Sequence, residues 1–145
     1  LTYHFQDIVN YTAIQPIQEL ITYEETYAKM ADILEQQMQR NDGALLIKTI
    51  RYALNTIQEL ISLQLTPDSL MGVILHMSCM VDRLQKGESL LPHPDKEKRR
   101  QDEYWMYMKV KKALQPIENT FEIQIPDDEV FYVMDFFIKN QPVKN

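Results

Sequence analysis

The chain has 145 residues, a formal net charge of −6 and 45% hydrophobic residues, which suits one domain with one hydrophobic core. The presence of only three glycines favours helices. A single cysteine excludes an internal disulfide, so we expect a reducing, cytoplasmic compartment. The acidic net charge argues against nucleic acid as the main partner. No apolar run approaches the ~20 residues of a membrane span, and we recognise no signal peptide at the start of the sequence.

The first third of the chain predicts one helix after an irregular start. Residues 1–15 are mixed in character, and Pro16 is suited to the first turn of a helix. Apolar side chains at helical spacing then continue over 17–38. The Asn41-Asp42-Gly43 turn separates this segment from a second helix over 44–62, which the aspartate of the turn can cap.

The central helix has the strongest start signal in the chain. Thr66 can cap it and Pro67 fits its first turn, so we predict a helix over 67–86. One side of this helix is apolar and comprises Leu70, Val73, Ile74, Met77, Met80, Val81 and Leu84. We expect aspartate at Ile74 or Leu75 to destabilise the protein strongly, because it would bury an unpaired charge.

The second half of the chain predicts two more helices. The run 96–100 is highly charged and is typical of a solvated segment, and a helix is expected over 102–119, with Pro116 able to break its end. Residues 121–125 alternate like a strand but are too isolated to form a sheet, so we interpret them as an extended connection. A last helix over 127–140 opens with acidic residues.

The sequence therefore predicts an all-α fold, a bundle of about five main helices to which the N-terminal segment can add an extra one. We expect the core to form from the apolar faces of 44–62, 67–86, 102–119 and 127–140. The chain starts with Leu1 rather than Met, which suggests either a piece excised from a longer protein or a chain expressed without a tag.

One stripe of the central helix carries candidate chemistry at the border between core and water. Gly72, His76, Cys79 and Arg83 share it, since they lie three to four residues apart. A neutral imidazole is a good phosphoryl acceptor near pH 7, a guanidinium can pair with the resulting phosphate, and the glycine would leave room for a donor protein. The structural alternative is a half-buried histidine beside a solvated arginine.

The remaining candidates have simpler interpretations. His93 lies between two prolines and is expected in a surface loop, and His4 is likewise a weaker candidate than His76. Three histidines and one cysteine without ligand spacing argue against a zinc site. Cys79 is interpreted as a small border or core residue, and the acidic run 127–129 as helix-start residues rather than catalytic carboxylates.

Two motifs together resemble the PTS regulation domain (PRD). The first is Gly72-Val-Ile-Leu-His76-Met-Ser-Cys-Met-Val-Asp-Arg83-Leu84 followed by Lys86-Gly87-Glu, and the second is Ile125-Pro126-Asp-Asp-Glu129 before a closing apolar helix. More narrowly, they are similar to the C-terminal copy in sigma-54-dependent activators of the levanase and mannose operon type. The similarity covers 45–145, which we interpret as the domain, and is weaker over 1–44, which we interpret as a helical lead-in to a preceding domain.

The resemblance implies an all-helical regulatory domain without enzyme activity or cofactor, in a bacterial transcriptional regulator of sugar-utilisation genes. In this family, the phosphotransferase system phosphorylates histidine through HPr or a sugar-specific EIIB. By position, His76 matches the family's first phosphorylatable histidine and Arg83 its arginine. Many members carry a second histidine in the last helix, but the corresponding stretch 133–137 has none.

Two other classes of protein remain open. One is a histidine phosphotransfer module, although the lysine usual after its histidine is missing here. The other is a non-catalytic helical interaction or dimerisation domain, in effect a degenerate PRD in which His76 is dispensable. The expected partners are HPr and EIIB as phosphoryl donors and a second copy of the chain, with no membrane and no direct nucleic-acid contact by this domain.

Overall fold

The computed structural model describes residues 11–37, 41–88 and 92–138, with side chains from residue 22 onward. These ranges contain seven α-helices and no strand, which confirms the predicted all-α fold. The helices are α1 (Tyr11–Gln37), α2 (Gly43–Ile61), α3 (Pro67–Gln85), α4 (Lys96–Asp102), α5 (Tyr104–Ala113), α6 (Gln115–Phe121) and α7 (Asp127–Ile138).

Helix α1 packs against α2 and α3 and contributes to the same core as the rest of the molecule. Its side chains Tyr27, Met30 and Leu34 are buried. The helix already begins at Tyr11, so the expectation that Pro16 opens it is wrong. A proline inside a helix removes one backbone hydrogen bond and crowds the carbonyl four residues before it, which is why the sequence favoured Pro16 as a start rather than an interior position. The domain boundary near residue 44 stays a prediction.

The starts of α2 and α3 agree with the capping residues in the sequence. The Asp42 side chain accepts hydrogen bonds from the backbone N–H of Ala44 and Leu45. The Thr66 hydroxyl accepts one from Ser69 N–H, and Pro67 occupies the first turn. These bonds satisfy N–H groups that have no partner within the helix, which fixes where each helix begins.

The apolar face of α3 lies in the core as predicted. Its buried members are Leu70, Val73, Ile74, Met77, Met80 and Val81, and Leu84 is half-buried against them. Leu75, however, is 42% exposed. The expectation that aspartate at this position buries a charge is therefore wrong, and it holds only for the neighbouring Ile74, which is fully buried.

The segment predicted as a charged run and one helix forms three short helices instead. Residues 96–100 lie in α4, and the chain turns at Glu103 before α5 begins. A second turn at Leu114 separates α5 from α6, where Pro116 lies in the first turn and opens the helix rather than ending it. The sequence obscures these breaks because the apolar spacing continues across them.

The extended connection predicted over 121–125 begins just after α6. Ile123 and Ile125 are buried while Gln124 between them is exposed, which explains the strand-like alternation without a sheet. The chain then enters α7, which packs against α3, α4 and α5. None of the helices in the described ranges is long and apolar enough to cross a membrane.

Candidate functional site

His76 lies at the border of α3, as the sequence predicted, with 20% of its side chain exposed. Its Nε2 atom is 3.1 Å from Oε2 of Glu129. The imidazole ring also lies beside two aromatic rings of α7, with centroid distances of 5.6 Å to Phe136 and 6.2 Å to Tyr132. The ring is therefore held by one polar contact and two apolar ones, and it keeps access to solvent.

Glu129 joins His76 to Arg83. Its side chain is 2% exposed, and its Oε1 atom accepts a hydrogen bond of 2.9 Å from Arg83 Nη1. Burial raises the pKa of the Glu129 carboxyl, but the hydrogen bonds from His76 and Arg83 together lower it further, and the net pKa is below its ordinary value. The carboxylate is therefore ionised at neutral pH.

The interpretation of residues 127–129 as simple helix-start acids missed the buried role of Glu129. A signal was present in the sequence, because Glu129, Val133 and Phe136 repeat at helical spacing on the side of α7 that faces His76. The spacing alone does not show that this side meets α3, since that depends on packing between helices 53 residues apart in the chain.

Arg83 occupies the predicted stripe, but it is not a solvated side chain. Its side chain is 20% exposed and paired with Glu129.

The expectation that Gly72 leaves room for a donor protein is wrong, because an added Cβ atom there would lie 3.0 Å from Cε1 of Phe136. Gly72 instead allows the Phe136 ring to approach α3. Cys79, one turn after His76, is exposed and does not belong to the core.

His93 forms a second cluster, and its assignment to a surface loop is wrong. The side chain is 4% exposed, and its Nε2 atom lies 2.9 Å from Oδ2 of Asp135. The Nδ1 atom accepts a hydrogen bond of 3.2 Å from the backbone N–H of Asp95. The ring packs edge-on against Tyr132 at a centroid distance of 4.7 Å. The imidazole is buried by aromatic packing against α7, and hydrogen bonds satisfy both of its ring nitrogens.

Arg99 completes this second cluster and shows that the run 96–100 is not simply solvated. Its guanidinium pairs with Asp135 and with Glu103, and lies 5.5 Å from the ring centroid of Phe131. Burial lowers the pKa of Arg99, but the hydrogen bonds that its guanidinium donates to the two carboxylates outweigh this effect and raise the pKa overall. The spacing of Arg99 and Glu103, four residues apart, was the available sequence signal.

His76 and His93 differ in whether a ring nitrogen is left without a hydrogen-bond partner among the described residues. Both ring nitrogens of His93 have hydrogen-bond partners, and the side chain is buried. His76 has a partner at Nε2 only, among the described residues, and is partly exposed. His4 lies outside the described residues. Among the described residues, no group of three or more histidine, cysteine or acidic side chains is arranged to hold a metal ion.

The fold and the site define a class of protein, a small helical domain with a partly exposed histidine tied to a buried carboxylate and an arginine. The family model named PRD domain matches residues 51–140, well over half of the chain. The chain therefore belongs to the PRD family of regulatory domains linked to the phosphotransferase system. No curated protein and no solved structure matches it significantly.

Proposed function

We propose that this chain is the regulatory domain of a bacterial transcriptional regulator of sugar-utilisation genes, switched by phosphorylation of His76 by HPr or a sugar-specific EIIB. Membership of the PRD family supports the link to the phosphotransferase system. The motif resemblance supports the narrower context of a sigma-54-dependent activator. The single observation that carries the choice of residue is the partly exposed His76 ring held by Glu129.

The comparison with His93 supports this choice. A phosphoryl acceptor needs a nitrogen lone pair that a donor protein can reach. His93 is buried and uses both ring nitrogens in hydrogen bonds, so transfer to it would require the loop around it to open. His76 needs no such rearrangement, because part of its ring already faces solvent.

Arg83 is proposed to contact the phosphoryl group after transfer. Its Nη1 atom bonds Glu129, while its other guanidinium nitrogens have no hydrogen-bond partner among the described residues and are free to donate. A phosphoryl group adds nearly two negative charges beside a carboxylate that is already ionised. We propose that Arg83 is drawn from Glu129 towards the phosphate, which weakens the link between α3 and α7.

The proposed compartment, phosphoryl donors and oligomeric state are those expected of a PRD. The protein would act in the cytoplasm, where HPr and EIIB are its phosphoryl donors, and as a homodimer whose association the added charge would bias. It would have no enzyme activity of its own. DNA contact and ATP hydrolysis would belong to other domains of the regulator, which agrees with the acidic net charge of −6 of this chain.

The test is phosphorylation of the chain with phosphoenolpyruvate, enzyme I and HPr, with and without candidate EIIB proteins, followed by mass mapping of the phosphate. We expect acid-labile, base-stable label on His76. His76→Ala should abolish it, whereas the matched control Cys79→Ser, at an exposed position one turn further along α3, should not. Arg83→Ala should lower labelling or shorten the lifetime of the phosphorylated form without moving the site.

Two results would contradict the proposal. Full labelling of the His76→Ala protein, or label mapped to His93 in the folded wild type, would show that another residue is the acceptor. An absence of label with every phosphotransferase component tested would favour the second candidate, a degenerate PRD that acts only through protein contacts.

One structural observation favours this second candidate. Several large apolar side chains of α2 and α5 are exposed, namely Tyr52, Leu60, Tyr104, Trp105 and Met108. Lysines of α5 lie beside three of them, Leu60, Trp105 and Met108. Exposed aromatic and apolar clusters are typical of protein interfaces. An interaction domain of this kind would keep its regulatory effect in the intact regulator when His76 is replaced by alanine. The phosphotransfer-module alternative is not retained, because the chain belongs to the PRD family.

A further inference from the structure

We infer that the phosphoryl group is carried by Nδ1 of His76. Glu129 is the positioning residue, because it accepts a hydrogen bond from Nε2–H and so leaves the lone pair of the neutral ring on Nδ1. The inference rests on the proposed function and goes beyond it, since that function requires only that His76 is the acceptor. It specifies which of two chemically different phosphohistidines forms, and which side chain decides between them.

The chemistry of the two groups determines which of them carries the proton in the hydrogen bond between His76 and Glu129. An ionised carboxylate has acceptor atoms only, and Arg83 on the other oxygen favours the ionised form. The proton in the 3.1 Å contact must therefore belong to Nε2 of the imidazole. In the neutral ring the lone pair then lies on Nδ1, which is the nitrogen able to attack phosphorus.

The two ring nitrogens of His76 also differ in how far a phosphoryl donor can reach them. Within the described ranges, Nδ1 of His76 has no hydrogen-bond partner, and it is not among the buried polar atoms that lack one. Nδ1 is therefore not fully buried, in a side chain that is 20% exposed. The Nε2 atom, in contrast, points at a carboxyl group that is 2% exposed.

Phosphorylation at Nε2 would carry an electrostatic cost that phosphorylation at Nδ1 avoids. A phosphoryl group on Nε2 would place nearly two negative charges at the position now 3.1 Å from a buried, ionised carboxylate oxygen. Glu129 would have to leave its site or take up a proton. Phosphorylation at Nδ1 leaves the Nε2–H bond to Glu129 in place.

The transfer step balances without an additional acid or base. The Nδ1 lone pair forms a bond to phosphorus while the nitrogen–phosphorus or sulfur–phosphorus bond of the donor protein breaks, and the electron pair of that bond leaves with the donor. The proton on Nε2 stays where it is. The imidazole of His76 becomes positively charged during the step, and Glu129 stabilises that charge as the aspartate of a serine-protease triad stabilises its imidazolium.

The experiment is nitrogen-15 NMR of the histidine side chains in the full chain. In the unmodified protein, we expect His76 to show the tautomer with the proton on Nε2. After phosphorylation with enzyme I, HPr, EIIB and phosphoenolpyruvate, coupling to phosphorus should appear at Nδ1. Potassium phosphoramidate, a small phosphoryl donor, should give the same isomer, since the selection comes from Glu129 rather than from the donor.

Variants identify the role of Glu129. Glu129→Gln removes the charge, and its amide can either accept from or donate to the ring, so we expect both phosphohistidine isomers. Glu59→Gln, at an exposed position of α2, is the matched control and should give Nδ1 phosphohistidine only. A merely structural role of Glu129 would change the amount of label but not the isomer.

The outcomes separate the two proposals. Phosphorus on Nε2 in the wild type would overturn the inference and leave His76 as the acceptor. Phosphoramidate labelling at Nδ1 together with no labelling by any phosphotransferase component would overturn the proposed function and leave the assignment of the reactive nitrogen in place. A tautomer with the proton on Nδ1 in the folded, unmodified protein would also overturn the inference.

Discussion

Glu129 and Asp135 lie six residues apart on α7, and each carboxylate bonds one histidine and one arginine from outside that helix. Glu129 bonds His76 and Arg83, both from α3. Asp135 bonds two residues, His93 from the loop before α4 and Arg99 from α4 itself. The last helix is therefore fixed on two sides by the same chemical arrangement, although only the first arrangement leaves a histidine partly exposed.

The neighbours Ile74 and Leu75 provide a paired test of the packing of α3. Ile74→Asp should lower the free energy of unfolding by about 4 kcal/mol or more, because it buries an unpaired charge. Leu75→Asp should change it by about 1 kcal/mol or less, because the position is 42% exposed. Chemical denaturation monitored by circular dichroism measures both. Equal losses at the two positions would contradict the packing described for α3.

His93 is expected to matter more for stability than His76. His93→Ala removes a buried ring and its bond to Asp135, and should cost about 2–4 kcal/mol. His76→Ala removes a partly exposed ring and leaves Glu129 with Arg83, so we expect about 1 kcal/mol and nearly unchanged helical content. Thermal unfolding of the two variants compares them directly, and the reverse order would disprove the buried state of His93.

Glu129 should make stability fall in acid. Its folded-state pKa is lower than its ordinary value of 4.5, so its contribution is complete above that pH and is lost as the pH falls through the lowered pKa. The difference in free energy of unfolding between wild type and Glu129→Gln should therefore be largest near neutral pH and shrink below about pH 4.5. Urea unfolding at a series of pH values measures it, with Glu59→Gln as control. A difference that grew in acid would contradict this sign.

Gly72 tests the approach of α7 to α3. Alanine would gain up to about 1 kcal/mol of helix propensity, but its Cβ atom would lie 3.0 Å from the Phe136 ring. Phe136 is only half-buried and can yield, so we expect Gly72→Ala to be near neutral in stability. Gly72→Val, with two more carbon atoms at this contact, should destabilise by about 1–3 kcal/mol. Equal stability of the two variants would show that Phe136 does not occupy this space.

The sequence was sufficient for features that depend on local chemistry. The caps at Asp42 and Thr66 predicted where α2 and α3 begin, and the apolar spacing predicted the buried face of α3. The border position of His76 followed from the same spacing. Such features follow from backbone geometry and from side chains three or four residues apart, so they can be read from a single chain.

The missed features depend on contacts between distant segments. The burial of His93 and the pairing of Arg99 arise because the loop and α4 pack against α7, and nothing in a Pro-His-Pro sequence or a run of charges indicates that packing. Glu129 likewise looked like an ordinary helix-start acid, because its partner is 53 residues away in the chain. Charged residues carry no apolar pattern from which a long-range partner can be inferred.

The ring of Tyr132 lies near both histidines, at centroid distances of 6.2 Å from His76 and 4.7 Å from His93. An aromatic ring generates a local magnetic field that shifts the resonances of nearby protons and declines with the cube of distance. The imidazole proton signals of His93 should therefore be displaced by Tyr132 and respond to small changes in its tilt. Chemistry at His76 that moves Tyr132 would thus be visible at His93, a residue that stays unmodified and serves as a built-in spectroscopic reporter.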